Sequence, residues 1–204
     1  MEDIRDDGFQ MNEAPGWDDV DDLLRTIRVT IDKFTIDRQQ GQERRIVLWC
    51  EAAGMVPQLQ RVANDYSVPV YSSGGFDSIT SKHTIGKEFG SVDSLVLHLG
   101  DLDPSGEHIY SSLAEDIKEF SKCYGGEPEF IRLAVTREQV KQYDLPTSPP
   151  KARDNRSFDG DTTQCESLPP RILAEIVPAA IEGNLDMEQY QAVVEREGSA
   201  RAAD

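Results

Sequence analysis

The sequence predicts an α/β fold: a doubly wound, mainly parallel four-stranded sheet flanked by helices. Three observations carry that expectation. Four short apolar runs rich in β-formers occupy residues 45–51, 68–72, 94–99 and 130–135. Stretches with helical spacing separate them, so the order reads β-α-β-α-β-α-β, which right-handed crossovers wind into a parallel sheet. Acids stand at the ends of two of the runs: Glu51 closes the first and Asp101 follows the third after Gly100, at the strand ends where open α/β sheets place their chemistry.

Composition bounds the problem. A chain of 204 residues can bury one sizeable core and is too short for two large domains. Hydrophobic content of 38% and charged content of 29% belong to a globular protein in water. No apolar run approaches the ~20 residues of a membrane span, and the first residues lack a basic-then-apolar signal. Cys50, Cys123 and Cys165 are widely spaced and odd in number, which argues against zinc and against a disulfide framework and fits a reducing cytoplasm. The net charge of −17 disfavours wholesale wrapping of nucleic acid. It is unevenly spread: residues 1–22 hold nine acids and one base, whereas Arg132, Arg137, Lys141, Lys151, Arg153 and Arg156 form a basic group later in the chain.

Taken in order, residues 1–16 read as an acidic leader closed by Pro15 and Gly16. Val20, Leu23, Leu24, Ile27, Ile31 and Phe34 then recur at steps of three and four, predicting an amphipathic helix from Trp17 to about Arg38. The strand at 45–51 leads through Ala52, Ala53 and Gly54 to a helix carrying Met55, Leu59, Val62 and Ala63. The strand at 68–72 is followed by Gly74, Gly75 and a helix to about Phe89. The third strand, 94–99, is almost wholly apolar and suits burial on both faces. Pro104, Ser105 and Gly106 turn the chain into a helix to about Cys123, with Ser105 as its expected N-cap. The fourth strand, 130–135, passes into a short helix ending near Tyr143. Residues 145–166 form a polar, proline-rich loop of the kind that lines a site. The main domain is expected to span 17–183, with a last helix over 186–195 and a frayed tail at 198–204.

The chemistry lies in the acids. Asp101 and Asp103, two residues apart, put both side chains on one side of an extended backbone. Hard oxygens in that arrangement suit Mg²⁺, although Asp103 could equally cap the helix behind it. Glu51 ends another strand, so three acids converge on one edge of the sheet. Like charges that close need a cation or a proton. Gly74 and Gly75 let backbone amides approach phosphate, or simply make a turn. Lys151, Arg153 and Arg156 are candidate phosphate or DNA contacts, with solvated surface charge as the alternative. His98, inside a buried strand, reads as a satisfied core histidine.

Three segments, Trp49 to Glu51, Tyr71 to Ser78 and Leu97 to Gly106, resemble the Toprim domain. The form they resemble is that of topoisomerase VI A subunits, the meiotic double-strand-break transesterases and their bacterial relatives. Glu followed by Gly-Asp-x-Asp-Pro-x-Gly is the sharpest part, and the similarity runs from about residue 17 to 181. Arg132 to Val135, Leu145 with Pro146, and Ala152 to Asp154 resemble the family less closely. The resemblance implies that Glu51, Asp101 and Asp103 hold Mg²⁺, with Mn²⁺ as a substitute, and that Glu51 also serves as a general acid/base. It adds Glu166 as a further acid near the metal. It implies DNA as partner and phosphodiester cleavage as the reaction, with a homodimer where both strands are cut. Those relatives carry a winged-helix domain bearing the attacking tyrosine ahead of the Toprim domain, and this chain begins about where it would finish. None of Tyr66, Tyr71, Tyr110, Tyr124, Tyr143 and Tyr190 matches that nucleophile. The expectation is a nuclease using water, or the metal-binding half of a split enzyme whose winged-helix partner supplies the tyrosine.

Two other classes compete. One is a catalytically silent Toprim-fold subunit whose acidic leader contacts a partner. The other is a phosphatase of the haloacid dehalogenase type, which also uses Asp-x-Asp after a strand. That type wants Thr or Val where Ser105 stands and leaves Glu51 unexplained.

Overall fold

A computed structural model describes residues 16–32, 34–72, 78–150, 156 and 158–202. The chain divides into two compact units, Met1–Thr35 with Glu197–Asp204, and Ile36–Arg196. The elements are α1 Val20–Asp32, β1 Arg45–Cys50, α2 Val56–Ala63, β2 Val70–Ser72, α3 Ile79–Ser91, β3 Ser94–Leu99, α4 Pro104–Lys122, β4 Glu129–Ala134, α5 Arg137–Gln142, α6 Pro170–Glu182 and α7 Met187–Ala202.

In the second unit the four strands form one all-parallel sheet in the order β2-β1-β3-β4. The two central strands are buried along almost their whole length, which is why they read as unbroken apolar runs. Alternate residues of β1 face opposite layers. Ile46, Leu48 and Cys50 join Leu59 of α2 and Ile172, Val177 and Ile181 of α6. Val47 and Trp49 join Ile85 and Phe89 of α3 and Leu113 and Ile117 of α4. Helices thus cover both faces, the doubly wound arrangement that the alternation predicts. No helix among the described residues is long and apolar enough to cross a membrane.

Several boundaries differ from expectation. Helix α1 stops at Asp32, short of Arg38, because the chain is needed elsewhere: Gln39 is buried against the start of β1. Helix α4 begins at Pro104 with Asp103 as N-cap, two residues ahead of the expected Ser105. Proline suits N1, where its missing N–H costs nothing, and Asp103 Oδ1 accepts the Gly106 amide. Helix α7 continues to Ala202, past residue 195, and Arg201 in its last turn pairs with Glu197 and donates to the Phe34 carbonyl.

The order has one physical consequence. The chain steps from β1 outward to β2, then crosses back to lay β3 on β1's other side. The connections therefore leave β1 and β3 in opposite directions and open a crevice at their carboxyl ends. Glu51 follows β1 directly, and Gly100 and Asp101 follow β3.

Candidate functional site

Strands β1 and β3 run in register to Cys50 and Leu99, and the Glu51 amide extends the ladder by donating to the Leu99 carbonyl at 2.8 Å. The Glu51 side chain then crosses to β3. Its Oε2 accepts the Asp101 amide at 3.1 Å, joining the two acid stations directly. Gly100 makes room for this. A Cβ there would lie 2.6 Å from Glu51 Oε2 and 2.7 Å from His98 Cε1. Space, more than backbone freedom, is what requires glycine.

The two aspartates are held by different amides. Asp101 Oδ1 accepts from the Cys165 N–H at 2.8 Å, and Asp103 Oδ1 accepts from the Gly106 N–H at 2.7 Å as the cap of α4. Between them, Leu102 makes an antiparallel bridge with Thr163. The late polar loop is thereby tied across the Asp-x-Asp segment. It carries Glu166, in the 3-10 turn Cys165–Ser167, into the electrostatic field of Asp101.

Burial raises the Glu51 carboxyl above its ordinary range; the Asp101 amide and Arg132 pull it back, while the Asp101 and Asp103 charges push it further up. Burial also raises Asp101, with the Cys165 amide opposing and the charges of Glu166 and Asp103 adding to the rise. Glu51 and Asp101 therefore both carry the repulsion of neighbouring acids across the crevice. Arg132 is the cation that opposes the rise in both.

Arg132 lies on β4 opposite His98 of β3. Its Nη2 donates to the Asp101 carbonyl at 2.5 Å, its Nη1 lies 3.4 Å from His98 Nδ1, and its guanidinium sits 5.6 Å from the Tyr110 ring centroid. His98 is fully buried, and burial with the Arg132 charge pushes it down to about 3. The ring is neutral at physiological pH and accepts at Nδ1. The sequence reading of a satisfied core histidine needs correction on one atom, since Nε2 has no partner among the described residues.

Of the expected phosphate contacts, Arg156 is brought to the site: its Nη1 donates to Ser105 Oγ at 3.1 Å, in the first turn of α4. Gly74, Gly75, Lys151 and Arg153 lie outside the described residues. Sequence reasoning missed two features. In the sequence Arg132 groups with Arg137, Lys141, Lys151, Arg153 and Arg156, and its spacing does not mark it as the base beside the acids. Cys50 and Cys165, far apart in the sequence, are buried in one core cluster, where each acts on the other and the Cys50 thiol is lowered while the Cys165 thiol is pushed up.

As a metal centre the donors fit in kind, being hard carboxylate oxygens, and the neighbouring charges that raise Glu51 and Asp101 are a condition a divalent cation relieves. They are not a preformed cage. Among the described residues no three His, Cys, Asp or Glu side chains stand together as a ligand group, and Glu51, Asp101 and Asp103 each have an oxygen turned onto a backbone amide.

No protein-family model matches this sequence, and no curated protein matches it at a significant level.

Proposed function

We propose that this chain is a Mg²⁺-dependent Toprim-type domain that takes part in DNA phosphodiester cleavage, as a nuclease or as the metal-binding half of a split topoisomerase VI A-like enzyme. One observation carries the reading: Glu51 Oε2 reaches the Asp101 amide across the two central strands, at the point where strand order reverses. Hydrolytic and transesterifying sites of this class need acids from separate strands to share one cation. Glu51, Asp101 and Asp103 would hold it, with Glu166 adjoining. When bound, the ion supplies Lewis-acid stabilisation of charge on the phosphate and the leaving oxygen.

The chain's own groups divide the remaining work. Glu51, with its raised proton affinity, takes or returns the proton of the attacking or leaving oxygen. Arg156, whose Nη1 donates to Ser105 Oγ at the start of α4, receives a phosphate oxygen through its charge. Arg132 keeps Asp101 in place through its carbonyl and balances the acids. The tyrosine hydroxyls of Tyr66, Tyr71, Tyr110 and Tyr190 are engaged by Glu182, Glu88, the Phe130 carbonyl and the Asp65 carbonyl. This favours water, or a tyrosine from a partner chain, as nucleophile.

A second reading, a silent Toprim-fold interaction subunit, is favoured by the amide-bound carboxylates and the lack of a preformed cage. Thermal melts separate the two. Mg²⁺ or Mn²⁺ at a hundred times its Kd raises stability by about 2.7 kcal/mol through mass action. The wild type therefore gains several degrees and an Asp101→Ala/Asp103→Ala variant does not. An equal response in both proteins removes the metal site. With the site established, nicking of supercoiled plasmid, by the chain alone or with a winged-helix partner added, tests the cleavage step.

A further inference from the structure

Helix α1 leaves its apolar stripe in solvent. Val20, Leu24, Ile27 and Ile31 are between 43% and 71% exposed. They follow one another at steps of four, three and four, and Trp17 and Phe34, also exposed, continue the same spacing beyond each end. Val29 is exposed as well, on the far side of the helix; the stripe of Val20, Leu24, Ile27 and Ile31 alternates steps of four and three, the spacing of a coiled-coil seam.

The residues beside the seam indicate what covers it. On one edge stand Asp21 and Arg28, each one residue after a seam position; on the other stand Leu23 and Thr30. The side chains of Asp21 and Arg28 have no hydrogen-bond or ion-pair partner among the described residues. Laid antiparallel against itself, the helix sets Leu24 against Ile27 and Val20 against Ile31, so each layer within α1 is apolar. The same arrangement puts Asp21 of each copy beside Arg28 of the other, and the acidic first turns, with Asp18, Asp19, Asp21 and Asp22, lie at opposite ends. Laid parallel, those first turns would face each other and no opposite charges would meet across the seam. We infer that α1 is a self-complementary, two-fold dimerisation helix that pairs antiparallel with α1 of a second copy of this chain. The interface is isologous, as closed two-fold dimers require. It stands independently of the proposed metal chemistry.

Sedimentation velocity of the full chain, from low micromolar to submillimolar concentration, tests this. The wild type is expected to move from its monomer mass of 22.8 kDa toward twice that value. Leu24→Glu/Ile27→Glu places like charges in the central layers and weakens association by about a hundredfold or more. Asp21→Arg and Arg28→Asp each weaken it about tenfold, while the double exchange Asp21→Arg/Arg28→Asp returns it to near wild type. All four positions are exposed, and the melting temperature of each variant checks that the fold is intact. A wild type that stays monomeric throughout, a Glu variant that still dimerises, or a double exchange that fails to recover overturns the proposal.

Discussion

Glu51 shows how one carboxylate can be both anchored and uncomfortable. The Asp101 amide holds its Oε2, yet burial and two neighbouring aspartates favour its protonated form. Its proton affinity in the folded chain thus lies above the ordinary 4.5. From about that pH upward, the folded chain keeps a proton that the unfolded chain has released. Stability falls as pH rises through this window, and the penalty is complete above it. Glu51→Gln keeps an oxygen for the Asp101 amide and removes the charge. In chelator at pH 8 it should melt above wild type, by only about 2 °C because the group is partly solvated. The two proteins should converge near pH 4. A Gln variant that melts lower at pH 8 would mean that the charge is stabilising and that Arg132 outweighs the acids. At this scale the sequence was legible where a motif packs several demands into a few positions, as in Gly100, Asp101 and Asp103. It was not legible for Arg132, whose partners Asp101 and His98 are brought beside it only by the pairing of β3 with β4.

The elements depend on a clamp that no periodicity reveals. Strand β2 pairs only with Leu48 to Cys50, which leaves the outer edge of Ile46 without a strand. Gln39 fills that place with its side-chain amide. Its Oε1 accepts the Ile46 N–H at 2.6 Å, and its Nε2 donates to the Ile46 carbonyl at 3.1 Å and the Ser67 carbonyl at 3.0 Å. Gln39→Ala strands these buried groups at once, and each unsatisfied one costs roughly 1–3 kcal/mol. Urea unfolding should show a loss of about 2 kcal/mol or more with an unchanged m-value; a loss below ~0.5 kcal/mol would mean that water takes over the contacts. The same clamp explains why the first helix looked longer in the sequence than it is. The apolar spacing runs on through Phe34, but the chain must leave the helix for Gln39 to reach β1. Strands β1 and β3 were readable because burial on both faces admits no polar residue. Strand β2 is shorter than its apolar run suggests, since Pro69 has no N–H for a ladder and contributes only its carbonyl, to Leu48.

Over the whole molecule, a net charge of −17 is a standing repulsion that compaction intensifies. Screening relieves it, so NaCl should raise the melting temperature steeply at low concentration and then level off as the Debye length falls from about 30 Å at 0.01 M to about 10 Å at 0.1 M. This diffuse contribution belongs to every acid on the surface and should be nearly the same in wild type and in Asp101→Ala/Asp103→Ala. The crevice acids are different, because burial shields them from mobile ions. Mg²⁺ added at constant ionic strength therefore isolates the local contribution from the global one. The wild type should gain stability under that condition, and the alanine variant should gain only what its remaining surface acids provide. A gain that vanishes in the wild type once ionic strength is matched would mean that the fold uses its acids as a general field, with no privileged cation at the ends of β1 and β3.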